Sequence, residues 1–385
     1  MGQRGVLALG ANVVAQNFGS FEHQNGARFV GTLDNAGSFV FGSSSAGLPL
    51  FDGRLINRGS LTLRVNGSFA DGLRNEGDFT SLVVGRSLAL DGAGLDNAGT
   101  LLLRGGVLQG NGALRNSALF SGHGRIGGSA GFFNDGLVQQ DGGALVLANS
   151  AGALNRGRWV KQARQVLQLD GAGVSFNNQG QLALADGLIS GSGALVNGVA
   201  GTLCGSGTVN TRLINAGSLV LGAADRLTVN GAFINIGLLV AGQGGTLLLQ
   251  GGLTQQGRLQ LEGGTLDLAG RDLLNQGVIG GFGSLRGGEL VNQQQILLIG
   301  GASQLHANLD QQAGAQVIIS GGAVATFHGT LRARAGSELR VSEGSGAVFF
   351  GAVSQESGAA FTGRHALVRG RAVGGQFAGR RRRGR

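Results

Sequence analysis

Proline, cysteine, tyrosine and lysine are nearly absent from this chain of 385 residues. It contains one proline (Pro49), one cysteine (Cys204), one lysine (Lys161) and no tyrosine. A single cysteine excludes an internal disulfide, so backbone ladders and packing have to stabilise the fold. Collagen is excluded because its triple helix needs abundant proline. Scarce proline is instead typical of strands, since proline removes a donor from a hydrogen-bonded ladder.

Long apolar runs and acidic residues are also scarce. No stretch approaches the roughly 18 apolar residues of a membrane-spanning helix, and the first residues lack the apolar centre of a signal peptide. The 21 acidic residues compare with 30 basic ones, for a formal net charge of +9. Residues 364–385 contain eight arginines and no acid. The rest of the chain is therefore close to neutral, and only its tail is basic.

Glycine, by contrast, is abundant, with 78 residues, and it permits tight turns. Apolar and other residues alternate in short segments such as Leu219–Leu221 and Leu227–Val229. A period of two predicts strands, and no window shows a sustained helical period. Gly, Asn, Asp and Ser separate these segments every few residues. The composition and the periodicity together predict an all-β fold.

A short motif, apolar-x-Asn-x-Gly-x-apolar, recurs along the chain with a mean spacing of about 20 residues. The position of its asparagine is occupied by Asn17, Asn35, Asn57, Asn75, Asn97, Asn116, Asn134, Asn155, Asn178, Asn197, Asn215, Asn235, Gln255, Asn275, Asn292, Gln311, Ala333 and Gln355. Two or three short strands per repeat predict a single-stranded parallel β-helix of about 18 coils. Propeller blades need about 40 residues, and leucine-rich repeats need a helical segment, so both alternatives fit less well.

We expect a solenoid over residues 17–362, with residues 1–16 as a candidate N-terminal cap and 363–385 as a disordered, arginine-rich tail. Stacking at about 4.8 Å per coil would give a shaft of roughly 80 to 90 Å. The motif is interpreted as a corner. Its asparagine would adopt a left-handed conformation and form a hydrogen-bonded ladder with its equivalents, and its glycine would allow a tight turn. Ala333 should interrupt that ladder.

Segments such as GLDNAGTLLLRGG, RLINAGSLVLGAADRLTVNG and GSELRVSEGSGAVFFGAVS resemble secreted β-helical proteins of Gram-negative bacteria. These are autotransporter passenger domains, filamentous-haemagglutinin-like adhesins and surface proteins with a PEP-CTERM sorting tail. The resemblance implies a right-handed coil, export to the cell surface or the exterior, and a structural or adhesive role. Glycans or other cell-surface molecules would be its partners, and the open ends of the coil stack would permit end-to-end association. The chain departs from these families in having no export signal, C-terminal barrel or sorting anchor.

The alternative function is a polysaccharide-acting β-helix enzyme. Gly122-His123-Gly124 resembles an element of polygalacturonase-type glycosidases, whose chemistry needs paired acids. No Asp-Asp pair exists in this chain, and Arg212 follows Asn210-Thr211 where that family has an acid. His123 is therefore predicted to be a turn residue. The Gly-x-Gly-x-x-Gly match at Gly122 is expected by chance in a chain with 78 glycines. No helix is predicted to follow it, so it does not indicate a dinucleotide site.

No catalytic, metal or cofactor site is predicted. The five histidines are far apart in the sequence, and Gly263–Asp267 is only a partial calcium repeat. Cys204 is expected to be a small core or corner residue, and Trp159 to pack against or cap its coil, although an exposed tryptophan could bind sugar.

The tail, with Arg380, Arg381, Arg382 and Arg383, allows three interpretations. It could be a basic arm for nucleic acid or an anionic surface, a solvated terminus without a role, or the product of a truncation or a frameshift. The third is favoured because the repeat stops abruptly before it, so no specific nucleic-acid partner is expected.

Overall fold

The computed structural model describes residues 5–10, 12–24, 26–42, 50–81, 85–171, 173–363 and 366–368. All the regular structure in these ranges is β, and the strands pair in parallel with their equivalents one turn away. The result is a parallel β-solenoid of about 17 turns of about 20 residues. This confirms the predicted fold class. Pro49, His365 and the arginines at 380–383 lie outside the described residues.

The chain forms two compact units, residues 1–196 and 197–385. The strands that begin in the first unit are β1 Val6–Ala8, β2 Val14–Asn17, β3 Ser20–His23, β4 Arg28–Asn35, β5 Ser38–Phe41, β6 Leu50–Asn57, β7 Ser60–Leu63, β8 Gly67–Phe69, β9 Leu73–Asn75, β10 Asp78–Ser81, β11 Ser87–Leu90, β12 Leu95–Asn97, β13 Thr100–Gln109, β14 Leu114–Asn116, β15 Leu119–Gly128, β16 Phe132–Asn134, β17 Leu137–Asn149, β18 Ala153–Asn155, β19 Arg158–Lys161, β20 Val166–Leu169, β21 Ser175–Asn178, β22 Gln181–Ala183, β23 Gly187–Gly191 and β24 Ala194–Asn197.

The strands of the second unit are β25 Thr202–Cys204, β26 Gly207–Val209, β27 Arg212–Asn215, β28 Ser218–Leu221, β29 Arg226–Val229, β30 Phe233–Asn235, β31 Leu238–Ala241, β32 Thr246–Leu249, β33 Leu253–Gln255, β34 Arg258–Asp267, β35 Leu273–Asn275, β36 Val278–Asn292, β37 Gln295–Ile299, β38 Ala302–Gln311, β39 Gln316–Ser320, β40 Val324–Phe327, β41 Leu331–Ala333, β42 Glu338–Val341, β43 Gly346–Phe349, β44 Val353–Gln355, β45 Ala360–Gly363 and β46 Ala366–Val368.

The alternation of residues along each strand decides which side chains form the core. In β28, Leu219 and Leu221 are buried, while Ser218 and Val220 face outward. Leu219 lies in register with Leu239 of β31, one turn further along. Inward positions therefore stack leucine on leucine, and each fully buried side chain of this kind contributes about 2 kcal/mol.

The motif asparagines form the predicted ladder inside each unit. The side-chain Nδ2 of Asn57 donates to Oδ1 of Asn75 at 2.7 Å, and Nδ2 of Asn75 donates to Oδ1 of Asn97 at the same distance. Both side chains are 0% exposed. Each Nδ2 also bonds backbone carbonyls, as Asn75 does with Thr100 O at 2.9 Å. The carboxamide thus satisfies buried backbone groups while it links one turn to the next.

Ala333 leaves a gap in this ladder, as predicted, but the column is already broken one turn earlier, where the buried Oε1 of Gln311 has no hydrogen-bond partner among the described residues. On one side of it, Nε2 of Gln311 donates to the backbone carbonyls of Ala315 and Glu338, at 3.0 and 2.5 Å. On the other side, the buried Oε1 of Gln355 has no hydrogen-bond partner among the described residues. Alanine provides neither the acceptor nor the donor that the column needs.

The predicted left-handed conformation of the motif asparagine is wrong. The described non-glycine residues with positive φ are Asn12, Arg164, Ala185, Asp186, Ala224 and Ala269. The motif asparagine instead ends a strand. The motif position two residues later requires glycine because the backbone of the preceding turn lies close to it, and not because its φ is positive. A Cβ on Gly77 would lie 2.2 Å from Gly59 O of the preceding turn, well inside van der Waals contact.

Ala118 shows what a side chain costs at the motif glycine position. The bond from Leu119 N to Gly99 O across this corner is 3.2 Å, whereas Thr100 N lies 2.9 Å from Gly77 O one turn earlier. A methyl group at this position is therefore accommodated by a wider gap between turns.

We expect Gly77→Ala to lower the free energy of unfolding by about 2 kcal/mol, because the methyl group forces two turns apart. The measurement is chemical denaturation followed by circular dichroism. Gly19→Ala is the matched control: Gly19 has the same motif position in the first coil, where a Cβ meets nothing within 4 Å. Equal losses in the two variants would contradict the close-approach argument.

The first coil leaves apolar side chains in solvent. Strand β1 pairs in parallel with β4, and Val6, Val14 and Phe18 are exposed, Phe18 by 77%. An open cavity of about 440 Å³ lies between β1 and β3. Whether residues 1–16 act as a cap, and whether copies of the chain associate end to end, remain predictions.

Candidate functional site

A groove on the outer face of the second unit combines charged, amide and aromatic groups. It crosses three consecutive turns, on β34, β36 and β37, and has a volume of about 460 Å³. This lies within the range of 300–1,000 Å³ that is typical of small-molecule sites. The groove is lined mainly by Arg258, Gln260, Glu262, Gly280, Phe282 and Ile299.

Strand alternation places these groups side by side. Arg258, Gln260 and Glu262 are successive outward residues of β34, and Gly280 and Phe282 lie in register with Gln260 and Glu262 on β36. A Cβ on Gly280 would lie 3.0 Å from Oε1 of Gln260. The carboxamide of Gln260 therefore lies over Gly280, and a side chain at position 280 would displace it and fill the depression.

The polar groups of the groove keep unused hydrogen-bonding capacity. Nε and Nη2 of Arg258 donate to Oε1 of Gln260, at 3.3 and 3.0 Å, which fixes the carboxamide beside the depression. Neither Arg258 nor Glu262 forms an ion pair within the described residues. Free guanidinium donors and carboxylate acceptors thus lie on either side of an oriented amide.

Some charges elsewhere on the outer face form ion pairs, mostly between neighbouring turns. In the first unit, Arg58 contacts both Asp34 and Glu76, which lie on the turns before and after it, and Nε of Arg74 also reaches Glu76 at 2.6 Å. In the second unit, Arg334 binds both carboxylate oxygens of Asp310, at 2.8 and 2.6 Å. The hydrogen bond from Arg334 holds the pKa of Asp310 below its usual value. These carboxylates are occupied by arginine.

Two histidines that are separated in the sequence meet on the surface. The rings of His306 and His328 stack with centroids 4.0 Å apart, and Phe350 stacks on His328 at 5.3 Å. Sequence reasoning missed this stack, although a spacing of 22 residues, about one turn, was the available signal. The ring faces cover one another and leave their edges toward solvent. Desolvation, assisted by the nearby His328 and Arg286, lowers the pKa of His306.

The residues singled out from the sequence occupy other places. His123 lies within β15, between Gly122 and Gly124, at a shift in strand register, so its prediction as a turn residue is wrong. The positive φ of the two glycines bends the strand there without ending it. No helix follows, since the next element is β16.

Trp159 is a core residue and Cys204 a strand-end residue. The indole of Trp159 is 0% exposed and packs edge-on against the rings of Phe132 and Phe176, at 5.8 and 4.9 Å. This confirms the packing role and excludes sugar binding by its ring. Cys204 is half-buried at the end of β25, directly before the turn at Gly205.

Lys161, the last residue of β19, is a buried cation that sequence reasoning treated only as the sole lysine. Its side chain is 1% exposed, and Nζ donates to Leu188 O at 2.5 Å. Burial lowers the pKa of this amine from 10.5 to about 7. Gln140 occupies the same position one turn earlier, and its Oε1 has no partner among the described residues.

Within the described residues, no three His, Cys, Asp or Glu side chains gather closely enough to hold a metal ion. The same part of the chain contains no helix of the length and apolarity needed to cross a membrane. No family model and no curated protein matches the chain.

Proposed function

We propose that the chain is a secreted or surface-exposed structural protein, an adhesin-like β-helical stalk that forms the passenger part of a larger exported protein of a Gram-negative bacterium. The observation that carries this proposal is the buried carboxamide ladder. Nearly every turn commits the same corner residue to its neighbours, as Asn215 does to Asn235 at 2.7 Å. A protein built this way devotes most of its interior to stacking, which suits a structural role.

The outer face supports the same proposal. Some of its charges link one turn to the next, as Arg332 does with Glu356 at 2.9 Å. The polysaccharide-acting alternative has weaker support, because Glu262 is the single acid among the described residues that line the groove on β34, β36 and β37. A glycosidase needs one free carboxylate and one free carboxylic acid across a cleft.

The test of this proposal is antibody labelling of intact cells of the source bacterium. We expect an antiserum against the folded chain to label intact cells, or to detect the chain in the culture medium, without permeabilisation. A strain that lacks the gene controls for specificity, and a cytosolic marker controls for lysis. Labelling that appears only after permeabilisation would overturn the proposal.

A further inference from the structure

The groove on β34, β36 and β37 gathers polar groups with unused hydrogen-bonding capacity around one depression. The side chain of Arg258 donates only to the Oε1 of Gln260, and Glu262 has no hydrogen-bond partner among the described residues. Polar groups that stabilise no neighbour, placed around one depression, point to a ligand.

The aromatic wall of the groove is built by the glycines around it. A Cβ on Gly301 would lie 2.7 Å from the ring of Phe282, and one on Gly263 would lie 3.4 Å from it. The ring therefore packs against glycines on the two neighbouring turns and is half-buried. Ile299, one turn further along, is 39% exposed and extends this apolar wall.

We propose that this groove is a carbohydrate-binding site that takes a neutral hexopyranose unit of a glycan. A pyranose has an apolar face of C–H groups, which packs on the phenyl ring of Phe282, and a rim of hydroxyls. Those hydroxyls donate to the carboxylate of Glu262 and accept from the guanidinium of Arg258 and the Nε2 of Gln260. One positive and one negative group balance each other, so the groove favours a neutral sugar.

The inference rests on the proposed adhesin-like role for its biological meaning, but its test does not. Saturation-transfer NMR and titration calorimetry on the full chain would use glucose, galactose and mannose oligosaccharides as probes, with a uronic-acid oligosaccharide beside them. We expect a neutral probe to bind with a dissociation constant of about 1 mM or tighter. A failed surface-labelling experiment would leave this result unchanged.

Two substitutions locate the binding. Gly280→Val fills the depression without backbone strain, because φ there is not positive and the nearest atom is the flexible Gln260 side chain. We expect it to abolish binding, and Phe282→Ala to weaken binding about tenfold. The matched controls are Gly346→Val, whose Cβ would meet only Val324 at 3.9 Å, and Phe350→Ala at an exposed ring elsewhere. Both controls should bind normally.

Three results would overturn the inference: no neutral probe bound at about 10 mM, binding unaffected by Gly280→Val, or binding of the uronic-acid probe alone. Circular dichroism melts of all four variants confirm that the solenoid is folded. Because Phe282→Ala introduces no steric clash, it keeps the test decisive even if Gly280→Val unfolds.

Discussion

Lys161→Met should make the protein more stable at neutral pH, although it removes a hydrogen bond. The amine of Lys161 lies in the core, and burial lowers its pKa from 10.5 to about 7. A difference of this size corresponds to about 5 kcal/mol of disfavoured protonation. Losing the bond from Nζ to Leu188 O costs about 1 kcal/mol in return. We expect a net gain of about 4 kcal/mol at pH 6, measured by chemical denaturation.

The effect should depend on pH in one direction. Below pH 7 the amine is protonated in both the folded and the unfolded chain, so the native protein carries the full penalty. Between pH 7 and pH 10.5 the unfolded chain binds more protons than the folded one, and the free energy of unfolding of the native protein rises with pH. The advantage of the methionine variant should therefore shrink toward pH 10.

Arg158→Met is the matched control, since Arg158 is an exposed residue of the same strand. It should change the free energy of unfolding by less than about 0.5 kcal/mol at any pH. If the difference between Lys161→Met and the native chain stayed constant from pH 6 to pH 10, Lys161 would not titrate in the core as described.

The corner ladder was predictable because its signal repeats. Asparagine at the same place in each repeat, followed by an apolar residue, predicts both the stacking and the break at Ala333. Its backbone conformation was not predictable in the same way. Both a positive φ and a close backbone approach favour glycine, so the sequence does not distinguish them. In the structure, a Cβ on Gly77 would lie too close to Gly59 O, which shows that close approach is the cause.

The groove was beyond prediction because the turns differ in length. Ladder partners are 17 residues apart at Asn275 and Asn292 but 23 apart at Asn155 and Asn178. The pairing of β34 with β36 also shifts between Glu262 and Thr265. Outward residues of neighbouring turns therefore cannot be aligned by counting.

Asn75→Ala should lower the free energy of unfolding by about 4 kcal/mol. Its Nδ2 donates to Asn97 Oδ1, Thr100 O and Gly77 O, at 2.7, 2.9 and 3.1 Å. Its Oδ1 accepts from Asn57. Alanine removes all four of these side-chain hydrogen bonds and adds a small buried cavity, although Gly77 O keeps its bond from Thr100 N. Denaturation and hydrogen exchange at the neighbouring turns would measure the loss.

The control is an asparagine pair with the same stacking but in solvent. Nδ2 of Asn230 donates to Oδ1 of Asn210 at 2.6 Å, and this pair is exposed. Asn230→Ala should cost less than about 0.5 kcal/mol, because water replaces the lost partner. The difference between the two variants measures what burial adds to an amide ladder. Similar losses at Asn75 and Asn230 would mean that hydrogen bonding between turns, rather than the desolvation of unpaired groups, determines the stability of the solenoid.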